Sequence, residues 1–134
     1  MEITRAYVKS ILPHRDPEGH KGTFGKVYCL CGAVGYTGAP VLAASAAVRS
    51  GSGLVFLGVP EDIWPIVAVK CDSAMPSPLP SQQGKLALAA EDAVRARIDG
   101  CDAVLIGCGM GRSEESDALT RRLIDMDKPL VLDA

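Results

Sequence analysis

Four short apolar runs constrain what this chain can fold into: residues 26–31 (KVYCLC), 53–59 (GLVFLGV), 102–106 (DAVLI) and 129–133 (PLVLD). Each is too short for a helix and apolar on both faces. In the first, Val27, Cys29 and Cys31 alternate with Tyr28 and Leu30. A strand that is apolar on both faces must be covered on both, as in a parallel sheet held between helices.

The segments between the runs suit helices. Residues 40–50 are rich in alanine; Pro40 fits the first helical position, where its missing N–H costs nothing, and Gly51 and Gly53 stop the helix. Residues 61–69 begin a second helix with Pro65 in its first turns, and residues 85–98 suit a third. Ser113 caps a fourth, running to about Met126. A short helix over residues 3–10 comes first, residues 14–25 are loop, and residues 71–84, with three prolines, are irregular. Strand, helix, strand, helix, helix, strand, helix, strand is the order of one α/β domain with right-handed crossovers.

Composition removes several function classes. Aromatic residues are 4% and the net charge is −2, so base stacking and a basic nucleic-acid face are both disfavoured. No apolar stretch reaches the ~18 residues of a membrane span, and the opening MEITRAYVKS has no apolar core of a secretory signal. The odd set Cys29, Cys31, Cys71, Cys101 and Cys108 then reads as reduced thiols in a cytoplasmic protein. Cys29 and Cys31 follow strand spacing rather than a C-x-x-C pair. They read as small buried hydrophobes, and no metal site is expected.

Chemistry concentrates at two strand–turn–helix junctions. One is Gly32-Ala33-Val34-Gly35-Tyr36-Thr37-Gly38-Ala39-Pro40; the other is Gly107-Cys108-Gly109-Met110-Gly111. Glycine lets backbone approach a ligand closely, and free N–H groups at a helix start attract phosphate. The spacings G-x-x-G-x-x-G and G-x-G-x-G match neither the dinucleotide fingerprint nor a Walker loop. Two tight turns of an ordinary α/β domain would look the same. Lys21 is a weaker candidate for a phosphate contact, and His20 is expected to order its loop. Trp64 is expected to anchor a helix to the sheet or to another subunit, and Cys108 to pack rather than react. Arg121 and Arg122 are expected on a solvated helix face.

Five segments together resemble one known family. They are HKGTFGK (20–26), GYTGAPVLAA (35–44), RSGSGLV (49–55), GCGMGR (107–112) and PLVLDA (129–134). In this order they are similar to the ADP- or ATP-dependent NAD(P)H-hydrate dehydratases. The resemblance implies a ribokinase-like parallel sheet with helices on both faces, truncated here, with residues 1–134 as the N-terminal part of one domain. It implies a lyase that uses ADP or ATP, with Mg2+, to restore NADH or NADPH from the hydrated cofactor. A nucleotide phosphorylates the ring hydroxyl, and loss of phosphate follows. It places substrate contacts at Ala39 and Gly109, with Tyr36 a weaker candidate, and implies a homo-oligomer, typically a tetramer, with no nucleic-acid or membrane partner.

Departures from the family pattern are Cys108 for proline, Met110 for leucine and Cys71-Asp72 near the usual Pro-Glu. The family's Asp-Gly-Leu-Asn and Gly-Thr-Gly-Asp motifs have no match here. No residue of this chain inherits a catalytic role, and the chain alone is expected to be inactive, with its last strand at an open sheet edge. The rival readings are a sugar or vitamin kinase of the same fold, and a non-catalytic nucleotide-binding module.

Overall fold

The computed structural model describes residues 2–133. The four apolar runs form β1 (Lys26–Leu30), β2 (Leu54–Pro60), β6 (Ala103–Ile106) and β7 (Leu130–Leu132). With β3 (Met75–Leu79) they make a sheet in the order β3-β2-β1-β6-β7, parallel at every pairing. Connecting them are α2 (Gly38–Arg49), α3 (Trp64–Lys70), α4 (Glu91–Asp99) and α5 (Glu114–Leu123); α1 (Arg5–Ile11) precedes the sheet and buries no residue.

The alternation in β1 becomes two cores. Cys29 and Cys31 join Val55, Leu57 and Val59 under Ala44 of α2 and Val67 of α3. Tyr28 and Leu30 join Val104 and Ile106 on the other face, under Val94 and Ile98 of α4 and Leu119 and Leu123 of α5. Trp64 ties α3 to the sheet, its indole N–H donating to the Pro76 carbonyl at 3.1 Å.

Three expectations are corrected. Residues 71–84 are not irregular: β3 carries Pro76 and Pro78 and still pairs with β2, opposite Leu57 and Val59. Proline is tolerated on an edge strand, where one row of N–H groups has no partner. Residues 85–98 do not begin as helix. Lys85–Leu86 form β5, which pairs antiparallel with β4 (Ser81–Gln82), and a 3₁₀ turn at Leu88–Ala90 leads into α4. Pro40 is the third residue of α2, because the helix starts at Gly38. That position still lies among the N–H groups a helix leaves unpaired, so the ring costs no hydrogen bond.

The strand order fixes where a ligand can enter. From β1 the chain runs outward to β2 and β3, then returns to build β6 and β7 on the other side of β1. Connections therefore diverge between β1 and β6. In open parallel sheets the crevice beyond the carboxyl ends at such a switch point is the usual ligand site. Both glycine-rich turns leave the sheet there.

Candidate functional site at the rim of β1, β6 and β7

The two turns are locked together. The Gly32 amide donates to the Cys108 carbonyl at 2.9 Å, and the Gly107 amide donates to Leu30 at 3.1 Å. Gly109 is held at φ 68°, and a Cβ there would lie 2.6 Å from the Ala39 Cβ and 3.1 Å from the Tyr36 Cβ. Only glycine lets the second turn rest on the start of α2. Gly107, at φ 128°, is pressed in the same way against the backbone of Asp133, whose amide donates to Ile106 at 2.8 Å. The β4–β5 hairpin closes the first turn from the side, because the Val34 amide donates to the Gly84 carbonyl at 2.8 Å.

Above these contacts lies a cavity of about 700 Å³. Its floor is the Gly107–Arg112 turn, with Tyr36 on one wall, Asp117, Thr120 and Arg121 of α5 on another, and Leu132 and Asp133 at the end of β7. That volume is within the range of about 300–1,000 Å³ usual for small-molecule sites. Of the residues expected at a site, Gly109 and Tyr36 line the cavity, and Tyr36 is 58% exposed. Ala39 is not in the lining; it lies beneath Gly109 and sets the height of the turn.

Beneath the floor lie three thiols. Burial pushes the Cys29 thiol up to about 12, with neighbouring Cys108 and Cys101 adding to the effect. Burial likewise raises the Cys31 thiol, beside Cys29 and Cys108. Cys108 is raised by burial and then by the neighbouring Asp133 carboxylate. Raised thiols stay protonated near neutral pH, which fits a packing role for Cys108.

His20 and Lys21 lie elsewhere. Their loop leads into the amino end of β1, and the Lys21 carbonyl packs on Gly53 just before β2, so both are at the end of the sheet opposite the cavity. His20 orders its own loop, its Nδ1 accepting from the Gly22 amide at 3.1 Å.

Comparison with known proteins decides the family. The sequence model described as NAD(P)H-hydrate dehydratase matches residues 27–134. The chain belongs to the NAD(P)H-hydrate dehydratase family. It is 40% identical over 136 residues to the bifunctional NAD(P)H-hydrate repair enzyme Nnr of Salinibacter ruber, covering 99% of this chain and 25% of that protein. It is 32% identical over 132 residues to the ADP-dependent (S)-NAD(P)H-hydrate dehydratase of Bacillus subtilis, covering 98% of this chain and 45% of the relative. The crystal structure of the Bacillus subtilis ADP/ATP-dependent NAD(P)H-hydrate dehydratase, co-crystallised with ATP and Mg2+, superposes with a TM-score of 0.76 at 30% identity, over 98% of this chain and 44% of that one. A ribokinase-like superfamily protein of Enterococcus faecalis, 20% identical, superposes with a TM-score of 0.77 and shares the fold. The chain thus has the ribokinase-like fold of NAD(P)H-hydrate dehydratases and spans between a quarter and a half of these relatives' length.

Sequence reasoning missed the α5 wall. Arg121 and Arg122 are both exposed, as expected of a solvated helix face, but they meet different neighbours. Successive helical residues point about 100° apart, and the two part company. Arg122 turns to α4 and meets Glu91 at 2.9 Å, whereas Arg121 enters the cavity wall. The signal available was the buried pair Leu119 and Leu123, which fixes the core side of α5 and leaves positions 117 and 121 together on one flank.

Proposed function

We propose that this chain provides the substrate-binding side of an ADP- or ATP-dependent NAD(P)H-hydrate dehydratase, a lyase that returns hydrated NADH or NADPH to the working cofactor. The observation that carries the reading is the rim cavity at the β1/β6 switch point, floored by the Gly107–Arg112 turn and built on Ala39. Its role is to bind and orient. The close-packed turns hold backbone against the ligand where side chains would block it, and the protonated thiols give the floor a dry backing. Asp117 faces Arg112 at 3.5 Å, and Asp133 lies beside the Cys108 thiol.

Magnesium accompanies ATP in the Bacillus subtilis crystal structure. Among the described residues no group of three or more His, Cys, Asp or Glu is placed to hold a metal ion, and magnesium carried by a nucleotide needs only one or two carboxylates besides the phosphates. On the same reading the chain by itself binds substrate without turnover, since the family's Asp-Gly-Leu-Asn and Gly-Thr-Gly-Asp motifs have no match in it, and it works in the cytoplasm as part of a homo-oligomer. The rival kinase reading draws no support from the relatives, whose names are those of dehydratases and repair enzymes.

Calorimetric titration of hydrated NADH into the protein tests the reading. Saturable binding is expected, weakened at least tenfold by Gly109→Val, which puts a branched side chain into Ala39 and Tyr36. Absence of binding by the unaltered chain overturns the substrate assignment. Recovery of NADH absorbance with ADP or ATP is expected to be nil for the chain alone, and turnover would overturn the division of labour.

A further inference from the structure

The charged groups of the cavity are Arg112, Arg121, Asp117 and Asp133. Asp117 faces Arg112 at 3.5 Å, and Asp133 lies beside the Cys108 thiol. On the far flank of α5, Arg122 and Arg95 share Glu91, each at 2.9 Å. Arg121 has no carboxylate partner among the described residues. It stands on the wall of the cavity whose floor carries the amides of Gly109, Gly111 and Arg112, and these have no acceptor among the described residues either. Unpaired backbone N–H groups in a turn form an anion-binding concavity. A guanidinium lining the same cavity adds a planar fork that matches two phosphate oxygens at once.

We infer that Arg121, together with the Gly109–Arg112 turn, is a diphosphate-binding subsite, which grips the diphosphate bridge of the dinucleotide and so sets where its nicotinamide ring lies. The inference rests on the substrate reading above and deepens it. Arg121 acts as a positioning residue: it holds the bridge and takes no part in bond making. A ligand with the hydrated ring but no phosphate gains nothing from it.

The test uses four forms of the full chain: unaltered, Arg121→Gln, Arg121→Lys and Arg122→Gln. The last removes the same charge from the neighbouring residue, outside the cavity. Each is titrated with hydrated NADH, with inorganic diphosphate, and with hydrated dihydronicotinamide riboside, which has no phosphate. Loss of a charge-assisted hydrogen bond predicts that Arg121→Gln weakens hydrated NADH about tenfold or more and abolishes the diphosphate titration. The riboside titration stays unchanged, and Arg122→Gln matches the unaltered chain throughout. Arg121→Lys keeps the charge, loses the fork and is expected to fall between. Thermal midpoints of both glutamine variants are expected to stay within a degree or two of the unaltered chain, as for exposed positions.

Equal weakening by Arg121→Gln and Arg122→Gln, or unchanged hydrated NADH binding in Arg121→Gln, overturns the inference while leaving the substrate reading standing. Arg121-dependent diphosphate binding by a chain that ignores hydrated NADH supports the subsite and overturns the substrate reading instead.

Discussion

β1 and β7 lie in the same parallel sheet and are built from the same kind of residue, yet their surroundings differ sharply. Cys29 and Leu30 of β1 are fully buried, while Val131 and Leu132 of β7 are 64% and 54% exposed. β1 has strand neighbours on both sides and helices over both faces; among the described residues β7 has β6 alone. Apolar content makes a strand; the number of covered sides decides what the strand is worth. The hydrophobic gain scales with area removed from water, and β7 removes little. The cavity lies on this gradient, its floor anchored to the most buried strand and one wall formed by the end of the least.

The strongest way to break this contrast is Leu30→Ala. A fully buried leucine between two strands leaves a hole that cannot collapse, and the expected loss is about 2–5 kcal/mol in urea unfolding. A loss below about 1 kcal/mol would mean that the centre of the sheet is no better packed than its edge.

Alkaline pH probes the same centre chemically. The Cys29 thiol moves from its ordinary 9.0 to about 12 on folding, and Cys31 is raised as well. A raised folded value means stability that is whole below pH 9 and is lost above it, because unfolding frees the thiols to ionise. At pH 10 each of the two is expected to cost up to about 1.4 kcal/mol, or about 2–3 together. Urea midpoints between pH 8 and 10 measure it, and Cys29→Ala should flatten the slope; a flat profile in the unaltered chain would contradict the buried placement.

Gly107→Ala tests the joint between centre and edge. The left-handed backbone alone costs a non-glycine residue about 1–3 kcal/mol, and the new methyl meets Asp133. Amide exchange is expected to speed up at Asp133 and Leu132 while β1 stays protected; uniform loss of protection would show that β7 is not a separable edge. The smallest effect belongs to Val131→Ala. An exposed edge position predicts a change within about 0.5 kcal/mol, and a larger one would show that β7 is covered in solution.

The sequence disclosed the buried strands because their apolar faces leave no alternative to a covered parallel sheet. It also disclosed both glycine turns, since only glycine permits such close approach. β3 was hidden by Pro76 and Pro78, whose usual meaning is loop. The hairpin was hidden because two-residue strands carry no periodicity. The cavity wall was hidden for a different reason: which flank of α5 faces the rim depends on where α4 and β7 lie, and no local pattern encodes that. Ala39 under Gly109 is legible as a small residue next to a glycine turn, but the contact joins residues far apart in the chain.

The two prolines of β3 have a consequence for how this sheet can be extended. Pro76 and Pro78 stand two residues apart, so the N–H groups they lack would have pointed the same way. β3 pairs with β2 at every position from Met75 to Leu79, so that way is outward; an incoming strand would find no donor at either proline, and the Pro76 carbonyl is already taken by the Trp64 indole. β7, with no proline in Leu130–Leu132, offers both. Among the described residues β7 is therefore the edge better suited to take a further strand, which would lie beside the cavity.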